Sequence, residues 1–155
     1  MAPNDTTAST LILFELDGFR FALDALKVQR LVRAGEITPL PGLPAGVLGV
    51  VSVAGEVVPV FDLRERLRIP PRAVRSSDHF IIVRCDARLV ALVVDNVTDV
   101  VPAAEAGFIS ASEVLPGLAS VEGWVKVNGE LIMIYDLGKF LSMDELLSLE
   151  KAMRT

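Results

Sequence analysis

One pattern in this chain occurs twice, and it restricts the fold more than any other feature. Val47, Gly49, Val51, Val53, Gly55, Glu56, Asp62, Leu63 and Leu67 recur at the same spacing as Val121, Gly123, Val125, Val127, Gly129, Glu130, Asp136, Leu137 and Leu141. Upstream, Phe21-Ala22-Leu23 is echoed by Val90-Ala91-Leu92. Self-similarity of this kind marks a repeated structural unit. Within each copy apolar residues alternate, a Gly-containing turn follows, and the alternation resumes, which is the pattern of a β-hairpin. The simplest reading is a duplicated small β-barrel. Each copy holds roughly 65 residues, too few for a comfortable core alone. The copies are therefore expected to share an apolar interface and to behave as one folding unit. Short strands at close spacing favour barrels over a βαβ sheet.

Strand-like stretches cover residues 11–16, 19–23, 28–33, 47–53, 57–61, 80–85, 89–94, 97–101, 123–127 and 131–135. Asp17-Gly18 and Asn128-Gly129 are strong two-residue hairpin signals, because both central positions must accept positive φ. Asp24 is placed to cap a short helical turn through Lys27, and Asp62 another through Leu67. Pro39, Pro41 and Pro44 remove ladder donors, so residues 37–44 read as edge or loop. Residues 102–117 form a long segment punctuated by proline and glycine. Ser142-Met143-Asp144-Glu145 has the form of a capping box, and Leu146, Leu149 and Met153 follow at helical spacing. The expected organisation is a disordered lead-in (1–10), a first barrel (11–76), a second barrel (77–141) and a C-terminal helix (142–155).

Composition narrows the function. Of 155 residues 52% are hydrophobic and 23% charged, which suits a packed globule. The net charge of −5 disfavours nucleic-acid binding. Arg64, Arg66, Arg68, Arg72 and Arg75 are interspersed with Glu65 and Asp78 and read as a solvated turn region. The single cysteine, Cys85, lies in an apolar strand and reads as a buried thiol in a reducing compartment. A single histidine, His79, cannot build a metal cage. The N-terminus lacks a basic and then apolar signal sequence, and no apolar run reaches the roughly 18 residues of a membrane span. A soluble, cytoplasmic protein with no direct membrane insertion is expected.

No catalytic, metal or cofactor site is expected. Walker and dinucleotide fingerprints are absent from the sequence. Asp62 and Asp136 could form a carboxylate dyad, but each follows the last strand of a repeat, where a carboxylate caps backbone N–H groups. Trp124 and Tyr135 read as packing residues. Apolar surface that two small barrels cannot bury points to a partner-binding module. A ligand-binding barrel or an unrecognised enzyme would need convergent polar groups that the strands do not offer.

Several runs then resemble one family. Residues 19–31 (FRFALDALKVQRL) resemble the second strand, short helix and third strand of CheW-type chemotaxis coupling proteins. Residues 37–64 (ITPLPGLPAGVLGVVSVAGEVVPVFDLR) resemble that family's proline-rich loop, glycine-hydrophobic strand, tight turn and V-P-V-x-D-L-R segment. Residues 89–101 (LVALVVDNVTDVV) resemble its V-D-x-V-x-D-V segment, and residues 131–141 its terminal strand. The likeness covers about residues 11–145. It implies a mainly β fold of two intertwined five-stranded SH3-like barrels with a C-terminal helix.

The resemblance also implies a role as a non-enzymatic adaptor that joins the cytoplasmic tip of a chemoreceptor to the regulatory domain of a CheA-type histidine kinase. Such a protein would be a monomer in isolation that assembles in arrays. By matching position, the receptor groove would use Val28, Arg30, Leu31, Gly49, Val50 and Ala54. The kinase would meet Ile37, Thr38, Leu40 and Leu43. Gly49 either lets a receptor helix approach closely or serves as a strand glycine at a barrel bend. Two departures stand out: Ser52-Val53-Ala54-Gly55 replaces Asn-Leu-Arg-Gly, and Arg30 stands where the family commonly has an acid. An acid–arginine pair near the groove is thereby lost. The variant reading is a divergent adaptor that binds only receptor or only kinase in a specialised pathway.

Overall fold

The computed structural model describes residues 10–85, 88–102, 107–110, 121–135, 151 and 153. Three tight turns set its hairpins. Asp17-Gly18, Ala54-Gly55 and Asn128-Gly129 each hold both residues at positive φ, the geometry whose twist matches that of the flanking strands. They join β1 (Thr10–Leu16) to β2 (Phe19–Asp24), β4 (Val47–Val53) to β5 (Glu56–Asp62), and β10 (Val121–Val127) to β11 (Glu130–Tyr135). The other strands are β3 (Val28–Arg33), β6 (His79–Cys85), β7 (Arg88–Val94), β8 (Asn96–Pro102) and β9 (Gly107–Ser110). Both expected caps are present. Asp24 Oδ1 accepts the Leu26 N–H at the 3-10 turn Ala25–Lys27. Asp62 Oδ1 accepts the Arg64 N–H at helix α1 (Leu63–Leu67).

The strands form two sheets, ordered β8-β1-β2-β11-β10-β9 and β3-β6-β7-β5-β4. Each sheet draws strands from both sides of residue 76. The first hairpin, β1–β2, sits in the sheet of the second repeat, and β6–β7 sits in the sheet of the first. The exchange is closed by two parallel pairings. In one, β5 runs beside β7 with Val60 opposite Ala91; in the other, β11 runs beside β2 with Ile134 opposite Ala22. These are equivalent positions in the two repeats. Bulges repeat as well: the register shifts between Val47 and Gly49 and between Val121 and Gly123. Where five strands per sheet are expected, the first sheet has six, because β9 pairs with β10. Its counterpart in the second sheet is a single bridge, Thr38 to Val50. Pro39 directly follows Thr38, with Pro41 two residues on, and both remove donors that a longer ladder would need on that side.

Alternation along each central strand loads two cores at once. In β6, Ile81, Val83 and Cys85 face a cluster shared by both sheets, with Phe14, Phe21, Leu23, Phe61, Leu92 and Tyr135. Phe80 and Ile82 point the other way, onto Val51, Val58, Val60, Ala91 and Val93. In the six-stranded sheet Leu11, Leu13, Ala22, Val125, Ile132 and Ile134 form the corresponding private cluster. The expected shared apolar interface is therefore the largest of the three clusters, and Cys85 and Tyr135 are buried in it. Asp136, the capping box and the expected C-terminal helix lie outside the described residues, apart from Lys151 and Met153. Met153 rests against the shared cluster, and its sulfur accepts a hydrogen bond from Arg88 Nη1 at 3.3 Å.

A polar network pins the edge of that shared core, and here the expectation of a solvated arginine turn is corrected. Arg64 is only 5% exposed. Its Nη2 donates to both carboxylate oxygens of Asp95 at 2.8 Å, and its Nη1 donates to the Pro70 carbonyl. Arg72 donates to Asp95 at 2.6 Å and to both oxygens of Asp78. The Asp17 N–H in the first hairpin turn donates to Asp95 Oδ2 at 2.7 Å. One carboxylate between β7 and β8 thus ties the β1–β2 turn, α1 and the 70–78 connector together. Charges taken this far from water persist only when their hydrogen bonds are satisfied. The start of α1 just after β5 forces Arg64 inward, a constraint that charge spacing in the sequence does not reveal.

Burial alone would raise the Asp95 and Asp78 carboxyls, but hydrogen bonds and the Arg64 and Arg72 charges outweigh it. Both are held below the ordinary aspartate range. Burial pushes Asp62 the other way, above that range, against the opposing pull of the Arg64 N–H and charge. A depressed folded-state value means the network stabilises the fold above the unfolded value and loses that contribution as pH falls through the folded one. Asp62 contributes in the opposite sense.

Two outcomes are expected. Arg64→Ala leaves Asp95 with Arg72 alone, removes the cation 3.6 Å from Asp17, and costs about 3 kcal/mol, or roughly 10 °C in Tm; a melt within a degree of wild type contradicts the network's role. Acid melts of wild type should fall from about pH 5 downward, through the ordinary aspartate range. Asp95→Asn should melt lower at neutral pH and show a shallower acid dependence, since part of the proton-linked term is already gone.

Candidate functional site

The edge strands of the five-stranded sheet, β3 and β4, face each other across a cleft of about 430 Å³. Arg30 and Arg33 of β3, Ser52 of β4 and Ala54 of the following turn stand along it, and Val32, Val51, Val53 and Phe80 supply its apolar lining. Gly35 and Glu36 close one side. The β4–β5 turn explains how Ala54 comes to project here: at φ +51 it holds a left-handed conformation that a two-residue hairpin loop requires. A neighbouring hollow of about 440 Å³ lies behind residues 34–37 and is completed by Val74, Arg75 and Ser76.

The structure brings together two of the expected groove residues, Arg30 and Ala54, which line the cleft from opposite strands. Val28 begins β3, pairs with Val83 and is half-buried against the shared core. Leu31 is 42% exposed, a large apolar side chain left on the surface of the β3 edge. Gly49 and Val50 do not open into the cleft. A Cβ on Gly49 would collide with the Thr38 carbonyl and come within 2.8 Å of Ile37 Cγ2. Val50 is 8% exposed, and its N–H and C=O are both bonded to Thr38 at 2.9 Å. Glycine at 49 thus serves the close crossing of the 37–38 segment over β4. Val50 belongs to the packed strand beneath that crossing.

The four residues expected to meet a kinase follow one another along that connector. Ile37 packs on the private core of the five-stranded sheet and lines the second hollow. Thr38 is exposed and holds the bridge to Val50. Leu40 is half-buried, and Leu43 rests against the shared core. The two expected surfaces therefore touch at one place, where Thr38 lies over Gly49.

Sequence reasoning missed Arg33, Glu36 and Phe80 as cleft residues. Arg33 lies at the end of a stretch already singled out for Arg30, and a second cation on that edge was the available signal. Among the described residues, no three His, Cys, Asp or Glu side chains come together as a metal site would need. No helix among them is long and apolar enough to cross a membrane. The geometry offers an open, apolar-lined cleft with arginines along its β3 wall and Glu36 beside them, which suits docking of another chain.

Comparison with known proteins agrees with this picture. The CheW-like domain matches residues 10–145. A chemotaxis protein CheW from Treponema pallidum is 24% identical over 94% of this chain and 89% of its own length. One from Bacillus subtilis is 29% identical over 89% of this chain and 90% of its own. The crystal structure of the scaffolding protein TtCheW from Thermoanaerobacter tengcongensis superposes with a TM-score of 0.79 at 27% identity, covering 89% of this chain and 95% of that one. The two interlocked sheets, the exchanged hairpins and the cleft at their edge are thus those of a chain that belongs to the CheW-like domain family.

Proposed function

We propose that this chain is a non-enzymatic coupling adaptor of a bacterial chemosensory array, joining the cytoplasmic tip of a chemoreceptor to the regulatory domain of a CheA-type histidine kinase in the cytoplasm. The observation that carries the proposal is the CheW-like match across residues 10–145, which spans both sheets. The geometry supports it with two distinct surfaces. One is the β3–β4 cleft with Arg30 and Ala54; the other is the connector from Ile37 through Leu43. Two edge strands lining one cleft also support closure of the five-stranded sheet into an SH3-like barrel.

Such an adaptor works by differential binding. It engages the kinase's active and inactive states unequally, and receptor occupancy changes that inequality. The crossing of Thr38 over Gly49 gives the two surfaces a common structural element, so that displacement of one is felt at the other. A divergent adaptor restricted to one partner is the second reading. It is favoured by the cleft chemistry, where Arg30 faces an alanine rather than an opposite charge.

Titration of the purified chain with a soluble receptor tip and, separately, with the kinase regulatory domain of the same organism tests the proposal. Binding of both with micromolar Kd is expected, and binding of neither by a folded sample overturns it. Leu40→Asp should weaken kinase binding about tenfold, equivalent to roughly 1.4 kcal/mol, and leave the receptor tip unaffected. Gly49→Ala must push the 37–38 segment off β4. It should lower Tm and weaken kinase binding through Thr38, whereas a stable variant with full kinase affinity would show that the crossing is dispensable.

A further inference from the structure

Residues 70–78 form neither helix nor strand, yet they are held in one shape from within. Asp78 is 2% exposed. Its Oδ2 accepts the Arg75 N–H at 2.8 Å, and Arg72 donates to both of its oxygens, at 2.8 and 2.9 Å. Arg72 Nη1 also donates to the Ala73 carbonyl, and its Nη2 reaches Asp95 at 2.6 Å. An irregular segment has many conformations to lose, and a buried network of paired charges selects one of them. Apolar residues of similar volume commonly stabilise a fold as well as a buried ion pair does. Stability alone therefore does not account for this one, and what the closed loop supports becomes the question.

It supports the start of the connector. The β3–β6 ladder ends with Arg33 opposite His79, and the next N–H, that of Ala34, donates to the Asp78 carbonyl at 3.0 Å. Residues 34–37 then leave both sheets, until Thr38 bonds to Val50. Within that stretch Ile37 packs on the private core of the five-stranded sheet beside Val74, which the loop supplies. Glu36 and Ile37 face Val74, Arg75 and Ser76 across the hollow of about 440 Å³. The connector thus has one anchor on β4 and the other on the 72–78 loop. We infer that Asp78 is a positioning residue for the kinase-facing connector: by closing the 72–78 loop onto Arg72 it fixes the support under residues 34–37, and so the angle at which Ile37 and the residues after it are presented. The inference rests on the adaptor reading above and names a residue that serves one of its two partners without touching it. Binding surfaces carried on irregular segments keep their geometry only when a supporting shell of packed and hydrogen-bonded groups locks them. An opened loop would withdraw Val74 from Ile37 and leave the connector held at Thr38, so kinase binding would have to reorder it at a cost in affinity.

The test is calorimetric titration of the full chain and its variants, below their melting range. The titrants are the kinase regulatory domain and, separately, a soluble receptor tip from the same organism. Asp78→Asn keeps the side-chain volume and removes the charge that holds Arg72. It should bind the kinase domain about tenfold more weakly and the receptor tip as wild type does. Amide hydrogen exchange at Ala34 and Thr38 should quicken in this variant relative to amides of the central strands. Arg64→Ala is the control. It loosens the same network on its α1 side and lowers Tm, but should keep wild-type kinase affinity because the 72–78 loop stays closed. If Asp78→Asn melts too low to titrate, Arg72→Lys serves. It keeps the charge but not the two-pronged bond; it should show the same selective loss in smaller measure, and unchanged kinase affinity counts against the inference. Undiminished kinase affinity in a folded Asp78→Asn variant overturns the inference and leaves the adaptor reading standing. A loss shared equally by both partners, or by Arg64→Ala, overturns it too, since either reports general loosening. A wild-type chain that binds neither titrant removes the adaptor reading itself, and the inference with it.

Discussion

Two parallel strand pairings hold this fold in its exchanged form. Val60 beside Ala91 and Ile134 beside Ala22 each lock a hairpin of one repeat into the sheet of the other. Without them the halves would be two sheets of roughly 65 residues, each with a meagre core. With them, β1, β2, β6 and β7 become central strands buried on both faces. Their alternation then fills a private core on one side and the shared core on the other. Neither half can unfold without stripping strands from its neighbour, so cooperative melting as one unit follows from topology. Asp95 reinforces the same joint from the polar side, gathering Arg64, Arg72 and the Asp17 N–H at the point where the exchanged hairpins meet.

Much of this was legible in the sequence because hairpins announce themselves locally. Asp17-Gly18 and Asn128-Gly129 fix turn type and register, and Asp24 and Asp62 mark the starts of short helical turns by their capping chemistry. The repeat foretold a shared interface. It could not foretell β9, because Gly107–Ser110 has no alternation strong enough to separate it from the punctuated segment around it. Buried ion networks were equally out of reach. Arg64, Arg72, Asp78 and Asp95 are scattered along the chain, and only the folded geometry shows that two of five interspersed arginines turn inward.

The candidate site was half legible for a related reason. Arg30 and Ala54 were found through positional resemblance, and the fold places them on facing edges of one cleft. Gly49 looked equally suited to a close-approaching helix or to a strand bend. The structure fills its missing side-chain volume with the backbone of Thr38, a contact between segments that spacing alone does not specify. The same contact ties the 37–43 connector, proposed above to meet the kinase, to β4 through the Thr38–Val50 hydrogen bonds. A shift of the connector relative to β4 must be taken up at that crossing, because the cores below are close-packed and resist gradual deformation.

An adaptor, as distinct from a competitor, must hold both partners together. Sedimentation velocity on an equimolar mixture of the chain, the receptor tip and the kinase regulatory domain tests this most directly. The account predicts a ternary species that contains all three, because the β3–β4 cleft and the 37–43 connector are separate surfaces of one rigid body. Two binary complexes with no ternary species, each partner displacing the other as its concentration rises, would contradict it.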